Sequence, residues 1–279
     1  MHTPLPIDLQ PERVISLVPS MTESMFDLGF GKWMVGCTDY CIYPQGDVDR
    51  LKKIGGPKNI DIKSVLDLKP DFVIANQEEN RIEDFQVLKD YGIMIWETFP
   101  ISVRDSMDDL WELAGLFHSE HAGRIIRSLE DSLDWLNASS EEIEKVSYFC
   151  PVWKQFNVAG KVQWMVFNKN TYMDDLLGKL GGKNIFANHQ LENVNDEKKI
   201  RYPMIGEADL CALQPDVIIL PDEPYSFDIS DEQDLTQLFV DSKVGNIPKM
   251  IRVDGSLIMW HGTRLARSLN ELQGVFQIN

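Results

Sequence analysis

The spacing of hydrophobic residues predicts alternating strands and helices along the chain. Arg13–Val18 is a short apolar run of strand type, and apolar residues at helical spacing follow it over Met25–Leu28. A short polar turn separates the two, which is typical of the opening of a βα unit. Ser20 stands three residues before Glu23, so we expect these two residues to form a capping box at the start of the helix.

The longest helical pattern lies near the middle of the chain, between Ser119 and Ala138. Its apolar residues recur at spacings of three and four and form one stripe: Ala122, Ile125, Ile126, Leu129, Leu133 and Leu136. Ser119 can accept a hydrogen bond from the first free amides of this helix.

Two similar segments flank this helix. Leu68–Ile74 reads LKPDFVI, and Leu213–Ile219 reads LQPDVII. The repeat predicts two α/β lobes, residues 1–118 and 139–279, joined by a connecting helix at residues 119–138. The alternative is a solvated helix inside a single domain.

The charge of the chain excludes some classes of partner. It carries 27 basic and 44 acidic side chains, a formal net charge of -17, and therefore offers no basic stripe for nucleic acid. Nothing approaches the roughly eighteen consecutive apolar residues of a membrane-spanning helix. Residues 1–10 lack Lys, Arg and an apolar run, so they do not resemble a signal peptide, and a chain that begins there would be cytoplasmic.

The chain contains no recognisable catalytic motif. It has no zinc-protease motif, no nucleophile elbow and no phosphate-binding loop. The four cysteines lack zinc-ligand spacing, and Cys37 and Cys41 are expected to be neighbours around a turn. We therefore predict a protein that is not an enzyme and holds no intrinsic cofactor.

Aromatic residues in predicted loops are the more informative signal. Trp153, Trp164 and Trp260 fall in or beside turns, and Tyr40 lies in the loop after a predicted strand. Such residues can hold a flat apolar ligand at the strand ends. The alternative is that each tryptophan fills the core of its own lobe.

The order of several short motifs resembles the cobalamin-binding type of substrate-binding protein of ABC importers. The similarity covers nearly the whole chain and rests on these segments: Val14–Glu23, Gly55–Pro57, Leu68–Ala75, Glu78–Asn80, Thr171–Tyr172, Asp175–Leu177, Gly181–Phe186, Asp222–Phe227 and Val253–Gly255. The resemblance implies two Rossmann-like lobes joined by one long backbone helix, the chelatase-like architecture of class III substrate-binding proteins. It also implies a periplasmic location.

The resemblance further implies a ligand and partners. The ligand would be a cobalamin, a haem or a ferric siderophore, delivered by a monomeric receptor to ABC permease subunits through Glu83 and Glu207. The expected ligand contacts are Ser20, Tyr40, Asn76, Trp153, Trp164, Tyr202, Trp260 and His261, and His261 is also a candidate metal ligand. The alternative from another class is a cytosolic chelatase-like enzyme that handles a metallocofactor, because such enzymes share related lobes.

Overall fold

The computed structural model describes residues 10–140, 144–189, 200–243 and 245–277. The chain divides into two compact units. The first comprises Met1–Pro100, Arg104–Ser132 and Trp260–Ala266; the second comprises Ile101–Val103, Leu133–Met259 and Arg267–Asn279. The division differs from the sequence prediction mainly at Trp260–Ala266, which packs with the first unit although it lies near the end of the chain.

The first unit is built on a parallel sheet with strand order β3-β2-β1-β6-β7. Its strands are β1 (Val14–Ser16), β2 (Met34–Cys37), β3 (Lys52–Lys53), β6 (Phe72–Asn76) and β7 (Met94–Thr98), and a small antiparallel pair is formed by β4 (Gly55–Gly56) and β5 (Asn59–Ile60). The helices are α1 (Pro19–Asp27), α2 (Ile62–Asp67), α3 (Ile82–Asp90) and α4 (Val103–Leu116). Strands β1 and β6 are buried along their whole length, as is usual when both faces of a parallel sheet are covered.

The start of α1 differs from the prediction. Ser20 is not the N-cap; Val18 is, and no side chain caps the helix. Pro19 occupies the first turn, where its missing N–H removes no helical hydrogen bond, so the helix begins before Ser20. Glu23 therefore does not form the predicted capping box, and its carboxylate binds Arg264 instead.

The repeated segments have the same structural role in each unit. In the first unit, the Asp71 carboxylate accepts a hydrogen bond from the Arg13 amide (3.0 Å) just before β1. In the second unit, the Asp216 carboxylate accepts one from the Ser147 amide (3.0 Å) in the corresponding strand β8. The repeat therefore ties neighbouring strands together.

The connecting helix is α5 (Glu120–Ser140), and its residues pass from the first unit into the second. Ser119 caps it, as predicted, by accepting a hydrogen bond from the Ala122 amide at 3.1 Å. Each unit has a parallel sheet of its own, so the fold is α/β with two lobes.

The second unit combines a parallel sheet, β11-β8-β13-β14, with an antiparallel sheet, β12-β10-β9. The strands are β8 (Val146–Phe149), β9 (Trp153–Phe156), β10 (Val162–Met165), β11 (Gly182–Asn184), β12 (Met204–Gly206), β13 (Val217–Pro221) and β14 (Lys249–Val253). The helices are α6 (Tyr172–Lys179), α7 (Glu207–Leu213), α8 (Ile229–Ser242), α9 (Ser256–Met259) and α10 (Leu265–Glu271), the last of which begins within the first unit. Over the described ranges, no helix is long and apolar enough to cross a membrane.

The core of the second unit allows a prediction about packing. A methyl group at Gly182 would lie 2.5 Å from the Phe276 ring and 2.8 Å from the Tyr148 ring. Both rings are buried, so we expect Gly182→Ala to lower the free energy of unfolding by about 2 kcal/mol. Urea denaturation measures this change.

Gly178→Ala is the matched control for Gly182→Ala. Gly178 lies in α6, and nothing lies within 4 Å of an added methyl group. The higher helix propensity of alanine should raise stability by roughly 0.5–1 kcal/mol. Equal effects of the two substitutions would contradict this account of the core.

Candidate functional site

The first unit has a topological switch point beside β1. Strands β2 and β6 flank β1 on opposite sides, and ligands of open α/β sheets bind outside the carboxyl ends of the strands at such a point. Ser20 follows β1 in the first turn of α1, and Asn76 is the last residue of β6. The fold therefore brings both predicted contacts to the strand-end edge of this sheet, although both side chains are buried.

The Asn76 side chain organises its own loop. Its Oδ1 accepts a hydrogen bond from the Glu78 amide (2.8 Å), and its Nδ2 donates one to Thr98 Oγ1 (3.3 Å). Asn80 Oδ1 accepts from the Asn76 amide (2.8 Å), and Asn80 Nδ2 donates to the carbonyl of Leu17 (3.2 Å). These bonds fix the loop against the end of β1, and a ligand contact by Asn76 stays a prediction.

Tyr40 lies in the loop after β2 and is 65% exposed. Gly56 lies next to the Tyr40 ring: a methyl group added at Gly56 would be 3.4 Å from the ring. The ring is thus supported on one side and open on the other. Its position as an exposed aromatic residue at a strand end suits stacking on a flat ligand.

The segment Trp260–Ala266 is held against α1 and α4 by several polar contacts. These contacts are His261 Nε2 with Ser20 Oγ (3.4 Å), the Gly262 amide to Ser106 Oγ (2.7 Å), the Thr263 amide to Ser24 Oγ (3.1 Å) and Thr263 Oγ1 to Asp27 Oδ2 (2.6 Å). An added methyl group at Gly262 would lie 2.3 Å from Ser24 Oγ, and its φ is +83°, so glycine is required for this close approach. The contacts explain why the segment belongs to the first unit.

Arg264 is the most deeply buried charge in this segment. Its side chain is fully buried, and its Nε donates to Glu23 Oε2 at 2.8 Å. The guanidinium also lies 4.5 Å from the ring centre of Tyr43 and 4.9 Å from that of Trp260, within the range of cation–π attraction. Sequence reasoning missed this pair because 241 residues separate its partners. Trp260, a predicted ligand contact, is half-buried beside it.

His261 is also buried in this segment. Burial lowers its pKa from 6.5 to about 4, because an apolar environment disfavours the charged imidazolium. The imidazole is therefore neutral at pH 7, which is the form that binds metals. Within the described ranges, no group of three or more His, Cys, Asp or Glu side chains could hold a metal ion. Coordination of a chelated metal by His261 stays a prediction.

The second unit presents an aromatic pair at the strand ends. Trp153 is 43% exposed, and its ring meets that of Tyr225 edge to face, with ring centres 5.6 Å apart. Tyr225 lies in the loop that follows β13 and packs in turn on Phe227, at 4.6 Å between ring centres. Sequence reasoning did not single out Tyr225 as a candidate contact, although the motif Asp222–Phe227 contains it.

A buried ion pair fixes the strand that carries Trp153. Lys154 Nζ lies 2.6 Å from Asp231 Oδ1 in α8, and both side chains are largely buried. Burial alone would lower the pKa of Lys154, but the hydrogen bond and charge of Asp231 outweigh it and raise that pKa. The lysine is therefore charged at neutral pH and holds β9 against α8.

Trp164 and Tyr202 lie closer to the core. Trp164 is within β10 rather than in or beside a turn, and it pairs in register with Lys154, whereas Trp153 pairs with Met165. Alternate residues of a strand point to opposite faces, so Trp164 points away from the face of Trp153 and is only 3% exposed. Tyr202 is half-buried and packs against the hydrophobic core of the second unit.

The two predicted docking residues are both exposed at helix starts. Glu83 lies in the first turn of α3, 3.8 Å from Arg81, and Glu207 is the first residue of α7. Acidic residues stabilise a helix start without any partner, because the N-terminal end carries a partial positive charge. Docking by these residues stays a prediction.

Comparisons with known proteins agree on one family. The chain matches the periplasmic binding protein family over residues 14–223. It is 26% identical to the vitamin B12-binding protein of Vibrio parahaemolyticus over 208 residues, 74% of this chain and 70% of that protein. It is 24% identical to an ABC transporter substrate-binding lipoprotein of Bacillus subtilis over 276 residues, 95% of this chain and 80% of that protein.

Solved structures show the same fold. The periplasmic vitamin B12-binding protein of Vibrio cholerae superposes with a TM-score of 0.74 at 18% identity, over 96% of this chain and 97% of that one. A periplasmic heme-binding protein of Pseudomonas aeruginosa superposes with a TM-score of 0.72 at 21% identity, over 95% and 92%. The family match covers most of the chain, and its span includes both repeated strand segments. The chain belongs to the periplasmic binding protein family.

Proposed function

We propose that this protein is the substrate-binding component of an ABC importer and that it carries a flat metal chelate, a corrinoid foremost. It acts by binding and release, without a catalytic step, and hands its cargo to permease subunits. The observation that carries the proposal is the exposed aromatic surface at the strand ends of each unit, Tyr40 in the first and Trp153 with Tyr225 in the second. The vitamin B12-binding relatives favour a corrinoid among the flat chelates.

The chemistry of these residues suits such a ligand. Aromatic rings offer a large contact area at a low cost in conformational entropy, and they bind the faces of flat or apolar groups. The buried Lys154–Asp231 pair and the supporting Gly56 hold the two aromatic positions in place before any ligand arrives. A preorganised surface loses less entropy on binding and so binds more tightly.

A panel of chelates tests the proposal. The protein is mixed in turn with cyanocobalamin, haemin and a ferric siderophore, passed through a desalting column, and its visible absorbance is recorded. We expect cyanocobalamin to remain with the protein. If the protein retains none of the three chelates, the proposal is contradicted. If it retains haemin alone, haem rather than a corrinoid is the ligand.

Haem is the second candidate, and His261 is the observation that favours it. The neutral imidazole of a histidine is a common axial ligand of haem iron. His261→Ala should then change the visible bands of bound haemin. Unchanged bands together with unchanged affinity would show that His261 does not contact the ligand.

Trp153 offers the sharpest test of the aromatic surface. Trp153→Ala removes a large exposed ring, and we expect a loss of about 2 kcal/mol of binding free energy, roughly a 30-fold weaker Kd for the retained chelate. Trp135→Ala is the control, because Trp135 is 68% exposed on α5. We expect it to leave Kd within about twofold. Equal losses for both variants would show that Trp153 has no specific role.

A further inference from the structure

Asn80 lies in the loop after β6, and its side chain is buried, although asparagine is mostly exposed in proteins. Its Oδ1 accepts a hydrogen bond from the Asn76 amide (2.8 Å). Its Nδ2 donates to the carbonyl of Leu17 (3.2 Å) and to the carbonyl of Pro57 (3.2 Å). One side-chain amide therefore joins the end of β6, the residue that follows β1 and the turn between β4 and β5.

The pattern of these three bonds requires an amide at position 80. The site needs one acceptor and two donors on a short side chain, and asparagine supplies both. An ionised aspartate has the same shape but only acceptors, and a serine hydroxyl has one donor. A carboxylate at this position would face two carbonyl oxygens, so Asn80→Asp would replace two attractive contacts by repulsive ones.

The β4–β5 hairpin that Asn80 holds also supports Tyr40. A methyl group added at Gly56 would lie 3.4 Å from the Tyr40 ring, so the hairpin backbone is close to the ring. The Asp39 amide, next to Tyr40, donates a hydrogen bond to the carbonyl of Gly55 (2.9 Å). The position of Tyr40 therefore depends on the position of the hairpin.

A second bond joins the hairpin to the loop of Asn80. Lys58 Nζ donates to the carbonyl of Glu78 at 2.6 Å, next to the bond from Asn80 to Pro57. The lysine is an exposed residue of the hairpin turn, whereas Asn80 is buried beneath it. Asn80 is therefore the residue that connects the hairpin to the ends of two central strands.

We propose that Asn80 is a positioning residue for the ligand surface of the first unit: it holds the β4–β5 hairpin against the strand ends and thereby places Tyr40. The role rests on the proposed function, in which Tyr40 is a ligand contact. Asn80 acts through the hairpin and touches no ligand itself. Its loss should loosen the hairpin first and weaken binding as a consequence.

Hydrogen exchange followed by NMR tests the first step without any ligand. In Asn80→Asp we expect the Asp39 amide to exchange about tenfold faster than in the wild type, because the hairpin carbonyl that it bonds is no longer held. The amides of β13 report on global unfolding and should keep their rates. Asn270→Asp makes the same chemical change at an exposed position of α10 and should alter neither set. An unchanged rate for Asp39, or an equal increase in β13, would overturn the proposal.

A double-mutant cycle with cyanocobalamin tests the second step. Asn80→Asp should weaken the Kd about tenfold in the wild-type background and by less than about twofold in Tyr40→Ala, because the hairpin then has no ring to place. Equal weakening in both backgrounds would overturn a role that acts through Tyr40. Loss of stability alone would not produce this dependence on Tyr40.

Two further outcomes are separable. If Asn80→Asp does not fold, Asn80→Ser, which removes one donor and adds no charge, takes its place in both measurements. If the wild type binds neither cyanocobalamin nor haemin nor a ferric siderophore, the proposed function fails. The exchange rates still decide whether Asn80 holds the hairpin beside Tyr40, because they are measured without a ligand.

Discussion

Replacing Glu23 with alanine is expected to lower the free energy of unfolding by about 3–5 kcal/mol. The Arg264 side chain is fully buried, and Glu23 receives its Nε hydrogen bond at 2.8 Å. Without the carboxylate, the buried guanidinium loses this opposite charge, and less of its desolvation is compensated. Urea denaturation followed by circular dichroism measures the change.

An exposed ion pair in the same part of the chain supplies the control. Arg267 Nε lies 2.8 Å from Glu271 Oε1, but both side chains are at least 40% exposed. Solvent screens such a pair, so we expect Glu271→Ala to cost less than about 0.5 kcal/mol. A Glu23→Ala cost as small as that of Glu271→Ala would show that the buried pair does not hold Trp260–Ala266 in place.

His261 is expected to make the protein less stable in acid by up to about 3 kcal/mol. In the unfolded chain its imidazole takes up a proton near pH 6.5, and in the folded chain only near pH 4. Between these pH values the unfolded state binds more protons than the folded state. The contribution of His261 to stability therefore falls as the pH falls through this window. At pH 7 the His261 imidazole is mostly neutral in both the folded and the unfolded chain, so the effect is small.

The comparison of two variants isolates this effect from the acid titration of carboxylates. His261→Gln should lose less stability between pH 7 and pH 4 than the wild type, whereas His121→Gln, at an exposed position of α5, should lose as much as the wild type. Urea midpoints at several pH values give the differences. Identical pH profiles for wild type and His261→Gln would contradict the burial of a neutral imidazole.

Local patterns in the sequence predicted most of the fold. The apolar stripe and Ser119 predicted α5, and the repeated Leu-x-Pro-Asp segments, which lead into β6 and β13, predicted two α/β lobes. The pattern within each of these segments involves residues close together in the chain, where periodicity and capping chemistry act. The start of α1 was misplaced because Pro19, rather than Ser20, determines the first turn.

The candidate site was harder to predict because it depends on contacts between distant residues. The assignment of Trp260–Ala266 to the first unit rests on Arg264, Thr263 and Gly262 meeting α1 and α4, which no local pattern reveals. Trp153 and Trp164 look alike in the sequence, yet their register in the β9–β10 pair places them on opposite faces. The sequence suggested aromatic residues as candidate contacts, and only the structure showed their surroundings.

The most direct test of the proposed function is a calorimetric titration of the purified chain with cyanocobalamin. Our account predicts one saturable site per chain with a Kd in the micromolar range or tighter, together with a negative heat-capacity change as apolar surface is buried. The Trp153→Ala variant should bind at the same stoichiometry and more weakly. The absence of saturable heat with cyanocobalamin, and also with haemin and a ferric siderophore, would contradict the account.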